Sequence, residues 1–107
     1  MIITTTENIP GHRVAQALGL VVGNAVSTKH IGRDIAAVIK SLFGGELRGY
    51  TELLEDARNL AISRMIEQAA RLGANAIICT RVSTAMIMAG AAEIVAYGTA
   101  VQVAAEK

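Results

Sequence analysis

Few residues of this 107-residue chain could react or bind a metal ion. Cys79 is the first candidate because it is the only cysteine. It lies in GANAIICTRV, residues 73–82, an apolar run typical of a buried strand. Tetrahedral thiolate sites need about four ligands, and no second cysteine or nearby histidine stands at metal-site spacing. We therefore expect Cys79 to pack as a small hydrophobe. One metal hypothesis stays open through symmetry, since strands repeated around a ring axis would form a circle of thiolates for a soft ion.

The two histidines, His12 and His30, are far apart in the sequence, and each is expected at the surface because no convergent ligands are evident. The segment STKHIGRD nevertheless places Lys29, His30 and Arg33 near the start of a predicted helix. The dipole and free N–H groups of a helix N-terminus favour an anion. Two interpretations remain, an anion site or simple solvation with the adjacent aspartate as counter-charge.

A glycine-rich segment, GGELRGYT at residues 44–51, is predicted to be a loop that opens a long helix. Arg48 in this loop could face a phosphate or carboxylate held by first-turn amides. However, the segment follows a helix rather than a strand, it lacks the Lys-Ser/Thr ending of a phosphate loop, and acidic residues come directly after it. We interpret it mainly as a tight turn between helices, with positive φ at one of its glycines.

Arg81 and Glu93 are the charges most embedded in apolar strand sequence. Adjacent antiparallel strands could bring them together as a partly buried pair, within the sheet or across a subunit boundary, because unpaired burial would be costly. An enzyme with sites between subunits would use Glu93, Tyr97, Arg81 or His30, with Glu93 as a general-base candidate. No Ser-His-Asp set, HExxH motif or paired carboxylates on a recognisable scaffold appear, so no reaction mechanism is predicted.

The composition predicts self-association. Hydrophobic residues make up 52% and charged residues 18%, against about 25% charged in typical domains, and the mean hydropathy is +0.44. A chain this short cannot hide so much apolar surface alone, so it enters a membrane or buries the excess against copies of itself. Residues 85–105 nearly reach spanning length, but Glu93 near their middle would cost roughly 2.5–3.5 kcal/mol. We therefore expect a homo-oligomer and no membrane partner.

Net charge, cysteine content and length restrict the possible partners, the cellular compartment and the number of domains. The net charge of +1 gives no reason to expect a nucleic-acid partner. One unpaired cysteine and an N-terminus without a signal-peptide pattern predict a cytoplasmic protein. Residues 1–107 fit a single domain, with no linker or low-complexity run.

Six elements are predicted from the apolar periodicity: strands at 2–6 and 12–27, a short helix at 31–43, a long helix at 51–72, and strands at 76–88 and 93–105. The second and last strands alternate bulky with small side chains, and we expect their bare face to receive helices or a neighbouring subunit. The long helix should have an acidic first turn and Gly73 as its cap. The β-β-α-α-β-β order predicts an α+β fold, a small and mainly antiparallel sheet with a short and a long helix on one face.

Several segments, in order and spacing over essentially the whole chain, resemble the YbjQ-like family: GLVVGNA at 19–25, RD at 33–34, GGELRGYTELLEDAR at 44–58, LGANA at 72–76 and YGTAV at 97–101. This largely uncharacterised family carries the label of a heavy-metal-binding domain. The resemblance implies a compact α+β subunit and homo-oligomeric rings, typically five-fold, but no established catalytic residues. At the position of Cys79 the family pattern more often has glycine.

Three functional hypotheses follow. The favoured one is a non-catalytic ring-forming binding or assembly module, whose ligand, a metal ion or a small molecule, occupies a pore or subunit interface. The others are an enzyme with active sites between subunits and a purely structural ring.

Overall fold

The computed structural model describes residues 1–28, 48–88 and 91–106. Its elements are β1 (Ile2–Ile3), β2 (His12–Thr28), α1 (Arg48–Arg71), β3 (Ala76–Met88) and β4 (Ala91–Ala105). The four strands form one sheet in the order β1-β3-β4-β2, and α1 packs across β2 and β4. The α+β prediction is confirmed. The predicted short helix, together with Lys29, His30 and Arg33, lies outside the described residues.

The sheet is mainly antiparallel, as predicted, but the parallel pairing of β1 makes it mixed. β4 pairs antiparallel with both β2 and β3, but β1 runs parallel to β3, with Ile2 beside Ala76. Two backbone bonds hold β1 there, from Ile2 N to Asn75 O at 3.2 Å and from Thr4 N to Ile77 O at 2.9 Å. A two-residue strand has no side-chain pattern that fixes its direction, so only the available edge of β3 decides it.

The long helix begins at Arg48, inside the segment predicted as a loop. Arg48 is therefore helical rather than part of a glycine-rich turn. The first turn contains no acidic residue, contrary to the prediction, because Glu52, Glu55 and Asp56 fall in later turns. Gly49 is a weak helix former, which made the local pattern resemble a loop although the chain is helical there.

The C-terminus of α1 has the predicted glycine cap. Gly73 has φ 82°, in the left-handed region that glycine adopts without steric cost. Its N–H donates to Ala70 O at 3.0 Å, and the N–H of Ala74 donates to Ala69 O at 3.1 Å. These two bonds are the pair that defines a Schellman motif. The cap turns the chain from α1 directly into β3.

The core between α1 and the sheet is built mainly from small side chains. Gly23 of β2 is the closest point, since a Cβ there would overlap the Ala61 carbonyl oxygen and the Met65 amide nitrogen. The predicted role of the bare strand face is thereby confirmed. Leu60 and Leu72 of α1 are exposed and lie outside this core. The buried residues of this core are Val21, Ala25, Ala57, Ala61, Met65, Ala69, Ile77, Ile94, Ala96 and Ala100.

A second, smaller core lies on the opposite face of the sheet. There Ile9, from the segment between β1 and β2, packs with Ala76, Val101 and Val103. This segment covers only one end of that face. The molecule is elongated, with extents of 57 × 23 × 16 Å and a radius of gyration of 17.5 Å, against about 13 Å for a compact domain of this length.

Candidate functional site

Cys79 occupies a β-bulge rather than a regular buried strand. The register of β3 against β4 shifts there, so that Cys79 and Thr80 both stand opposite Gly98. Cys79 has φ 54°, and no other non-glycine residue in the described ranges has a positive φ. Its side chain is half-buried, and its N–H donates to Thr6 O at 3.0 Å. The left-handed residue of such a bulge is ordinarily glycine, so Cys79 stands at a strained position.

The bulge fits against β4 because the facing residue there, Gly98, has no side chain. A Cβ on Gly98 would lie 2.7 Å from Ile77 Cγ2, 3.0 Å from Ile78 O and 3.2 Å from Thr80 Oγ1. Thr80 is 7% exposed, and its Oγ1 has no hydrogen-bond partner among the residues described. Gly98 is therefore required by close packing against the bulge.

Metal-ligating side chains do not converge within the described part of the subunit. No group of three or more histidine, cysteine, aspartate or glutamate residues capable of holding an ion occurs in residues 1–28, 48–88 and 91–106. His12 Nδ1 lies 3.1 Å from Pro10 O, within the turn that enters β2. Within these ranges Cys79 therefore belongs to no set of three such ligands.

Arg81 follows the bulge and fastens the N-terminal segment to it. Its Nη1 donates to Thr5 O and to Thr80 O, both at 2.9 Å. Its side chain is exposed, and its cross-strand neighbour is Tyr97 rather than Glu93. The prediction of an Arg81–Glu93 pair within the sheet is therefore wrong.

The geometry of the β3–β4 hairpin explains why Arg81 and Glu93 do not pair within the sheet. Met88 pairs with Ala91, so β4 begins two residues earlier than predicted. This register puts Glu93 opposite Ala85, four residues along β4 from Tyr97. A pair between Arg81 and Glu93 across a subunit boundary remains a prediction.

The three residues predicted as interface or buried charges share one face of the sheet. Cross-strand pairing places Arg81 and Tyr97 side by side on the face opposite α1, with Glu93 half-buried on the same face. Beyond the reach of Ile9 this face is largely apolar and uncovered by the described residues. We call it the outer face and define it by Leu20, Val22, Asn24 and Val26 of β2, Arg81, Ser83 and Ala85 of β3, and Glu93, Val95 and Tyr97 of β4.

The exposure of its side chains indicates what the outer face can bind. Leu20 is 68% exposed, and Val22, Val26 and Tyr97 are also exposed. A contiguous apolar patch rimmed by polar residues is typical of a protein-binding surface. With one arginine and one half-buried glutamate on the same face, the arrangement is suited to a protein partner of mixed charge. The outer face is therefore the candidate functional site.

Asn75 has a structural role that the sequence analysis missed. Its side-chain amide bonds both backbone groups of Val103: Nδ2 donates to Val103 O at 2.9 Å, and Oδ1 accepts from Val103 N at 2.8 Å. Its own N–H donates to Val101 O at 3.2 Å. Asn75 thereby aligns β3 with β4 just before β3 begins. Its place two residues after the capping glycine, in LGANA, was the signal that could have found it.

Two side chains of α1 cover the outer edge of β2, and sequence analysis missed them as well. Gln68 Oε1 accepts from Val22 N at 2.6 Å, and Arg64 Nη1 donates to Asn24 O at 2.7 Å. The two side chains are one helical turn apart, so they reach alternate residues of the strand. No pattern in a single sequence indicates this, because the contact depends on where the helix crosses the sheet.

Among the described residues, no helix has the length and apolarity to cross a membrane.

Comparison with known proteins shows the family to which this chain is similar. Residues 1–104 match the profile of the YbjQ family, which is described as "Putative heavy-metal-binding". A UPF0145 protein of Thermotoga petrophila is 61% identical over 102 residues, covering 95% of this chain and 96% of the relative. A UPF0145 protein of Vibrio campbellii is 55% identical, covering 95% and 98%.

The fold also has a counterpart among solved structures. A Pediococcus pentosaceus protein of unknown function, assigned to the DUF74 family, superposes with a TM-score of 0.64 and covers 97% of this chain and 98% of its own. The two sequences are 17% identical, so this likeness concerns the fold alone.

Proposed function

Because the chain belongs to the YbjQ family, we propose that it is a non-catalytic binding and assembly module whose copies associate through the outer face into a closed homo-oligomeric ring, with five subunits the expected number. Its ligand, a soft metal ion or another small ligand, is placed at the pore or between subunits. With one free thiol per chain, we also propose that the ring works in the cytoplasm.

The exposed apolar part of the outer face is the observation that carries the proposal. Burying a leucine as exposed as Leu20 is favourable by up to about 2 kcal/mol, and Val22, Val26 and Tyr97 extend the same surface. Asn24 and Glu93 supply polar groups within it. Such a surface is stabilised when a partner covers it.

Metal binding is proposed through Cys79. Symmetry supplies the further thiolates that the sequence of one chain lacks, and a circle of thiolates suits a soft ion. The residues predicted as an anion site, Lys29, His30, Arg33 and Arg48, remain candidates for an anionic ligand on the strength of the sequence alone.

Light scattering and native mass spectrometry at micromolar concentration test the assembly. We expect the wild type to be a ring and Leu20→Glu to shift it to smaller species, because a carboxylate would be buried in the interface. Leu60→Glu is the matched control, since Leu60 is an exposed leucine on α1, and it should leave the ring intact. A well-folded monomeric wild type would overturn the proposal.

Metal analysis tests the ligand separately. The purified oligomer is loaded with Zn²⁺ or Cu(I), washed, and compared with Cys79→Ser. We expect the wild type to retain metal and the variant to lose most of it. Equal retention by both would remove Cys79 from the site and leave the ring proposal standing.

A further inference from the structure

We propose that the thiol of Cys79 is oxidised by hydrogen peroxide to a sulfenic acid, and that the hydroxyl of Thr80 stabilises this product. The two residues form the bulge that faces Gly98. The inference goes beyond the proposed function, because it requires neither a ring nor a bound metal ion.

The Thr80 hydroxyl is the observation that points to a ligand at this bulge. Thr80 is 7% exposed, and its Oγ1 has no hydrogen-bond partner among the residues described. Most buried polar side-chain atoms in proteins have a partner, and an unpaired one is destabilising. A hydroxyl that is buried and unpaired therefore requires an acceptor that the unmodified subunit does not supply.

The position of this hydroxyl directs it into the bulge. Its oxygen lies 3.2 Å from the point that a Cβ on Gly98 would occupy, so it stands over Gly98. Cys79 faces the same glycine, because the register of β3 against β4 shifts between Ile78 and Arg81. The thiol and the unpaired hydroxyl thus belong to consecutive residues of one bulge.

The backbone of the bulge is already engaged in other hydrogen bonds. The N–H groups of Cys79 and Thr80 donate to Thr6 O at 3.0 Å and to Thr4 O at 2.9 Å, and the Thr80 carbonyl oxygen accepts from Arg81 Nη1 at 2.9 Å. The sulfur of a thiol is only a weak acceptor. A sulfenic acid carries an oxygen on that sulfur, so oxidation of Cys79 supplies the partner that the hydroxyl lacks.

Cys79 is open to a small oxidant. Its side chain is half-buried rather than enclosed in the core, and cysteine oxidation depends on exposure as well as on thiolate character. The chain contains no second cysteine. The sulfenic acid therefore cannot condense to a disulfide within its own chain.

Hydrogen peroxide alone balances the oxidation step. The sulfur of Cys79 attacks one peroxide oxygen, so that an S–O bond forms and the O–O bond breaks. The other oxygen leaves with the bonding electron pair and takes up the thiol proton to become water. The sulfur is thereby oxidised and the peroxide is reduced, and no further reactant is needed.

Trapping with dimedone tests the inference, because this reagent forms a stable thioether with sulfenic acids and leaves thiols unmodified. The purified protein is exposed to hydrogen peroxide, the peroxide is removed with catalase, and dimedone is added after a fixed delay. Mass spectrometry of the peptide that contains Cys79 then reports how much sulfenic acid has survived.

Two substitutions of Thr80 provide the comparison. Thr80→Val removes the hydroxyl at nearly constant volume, whereas Thr80→Ser keeps it. We expect the valine variant to retain about tenfold less sulfenic acid than the wild type and the serine variant to stay within about twofold of it. Equal retention by the wild type and the valine variant would overturn the inference, and so would a wild type that forms no adduct.

Alkylation by iodoacetamide is the control reaction, since it uses the same thiol but places no oxygen on the sulfur. We expect the wild type and both variants to be alkylated at rates within about twofold of one another. If alkylation of the valine variant falls as far as its adduct does, Thr80 governs only access to the thiol and the inference is wrong.

Urea denaturation under reducing conditions separates this role from a structural one. Thr80→Val removes an unpaired buried hydroxyl, so its unfolding midpoint should be no lower than that of the wild type. Thr80→Ala also removes the hydroxyl and should retain as little sulfenic acid as the valine variant. An alanine variant that retains sulfenic acid as the wild type does contradicts the inference, even where the valine variant does not fold.

Discussion

Gly23 of β2 lies directly beneath the carbonyl oxygen of Ala61 in α1, with no room for a side chain between them. The same point of contact brings Met65 against the strand, and Met65 is fully buried. This close approach sets the distance between helix and sheet, and it lets Arg64 and Gln68 reach the strand edge.

Gly23→Ala should therefore be strongly destabilising. The new methyl group would collide with helix backbone, which cannot rotate away, so the loss in the free energy of unfolding should be about 3 kcal/mol. Urea denaturation at fixed protein concentration measures it. Asn59→Ala, at an exposed position of α1 away from the outer face, is the control and should change stability by less than about 0.5 kcal/mol. Equal effects of the two substitutions would contradict the packing described here.

Cys79→Gly should stabilise the protein. A non-glycine residue in the left-handed region costs roughly 1–2 kcal/mol, of which glycine's greater freedom in the unfolded state offsets about half. We expect a gain of about 0.5–1 kcal/mol in denaturation under reducing conditions. Cys79→Ser keeps the Cβ and should stay within about 0.5 kcal/mol of the wild type. If the serine variant is as stable as the glycine variant, the backbone at the bulge is not strained.

Gln68→Ala should expose the edge of β2 at one amide. The lost bond to Val22 N, 2.6 Å long, should cost about 1 kcal/mol, and the exchange rate of the Val22 amide should rise roughly fivefold to tenfold. Glu67→Ala is the control, because its 3.6 Å ion pair with Arg71 is solvent-exposed and contributes little. Unchanged exchange at Val22 would show that Gln68 does not protect this edge.

Asn75 offers a comparison of donor and acceptor at one site. Asn75→Ala removes both bonds to Val103 and should cost about 2 kcal/mol. Asn75→Asp keeps the acceptor but sets a carboxylate against the Val103 carbonyl oxygen, so at pH 7 it should be at least as destabilising as alanine. Thermal and urea unfolding rank the three proteins. An aspartate variant close to the wild type would mean that the Nδ2 bond contributes nothing.

The sequence by itself determined the features that depend on neighbouring residues. Alternation of bulky and small side chains predicted β2, and the apolar run predicted β3 with the observed bounds. Gly73 marked the end of α1, because only a left-handed residue completes the cap. The bare strand face that receives the helix was also predictable, since small side chains permit close approach whatever the partner.

Only the tertiary structure decided the features that depend on residues distant in the chain. The positive φ of Cys79 arises from its opposition to Gly98 across the bulge, and the separation of Arg81 from Glu93 follows from the length of one hairpin. The direction of β1 and the covering of the β2 edge by Arg64 and Gln68 depend on which edges the fold leaves free. Periodicity reports the face on which a residue lies, but cross-strand register and edge exposure are fixed only when separate segments pack together.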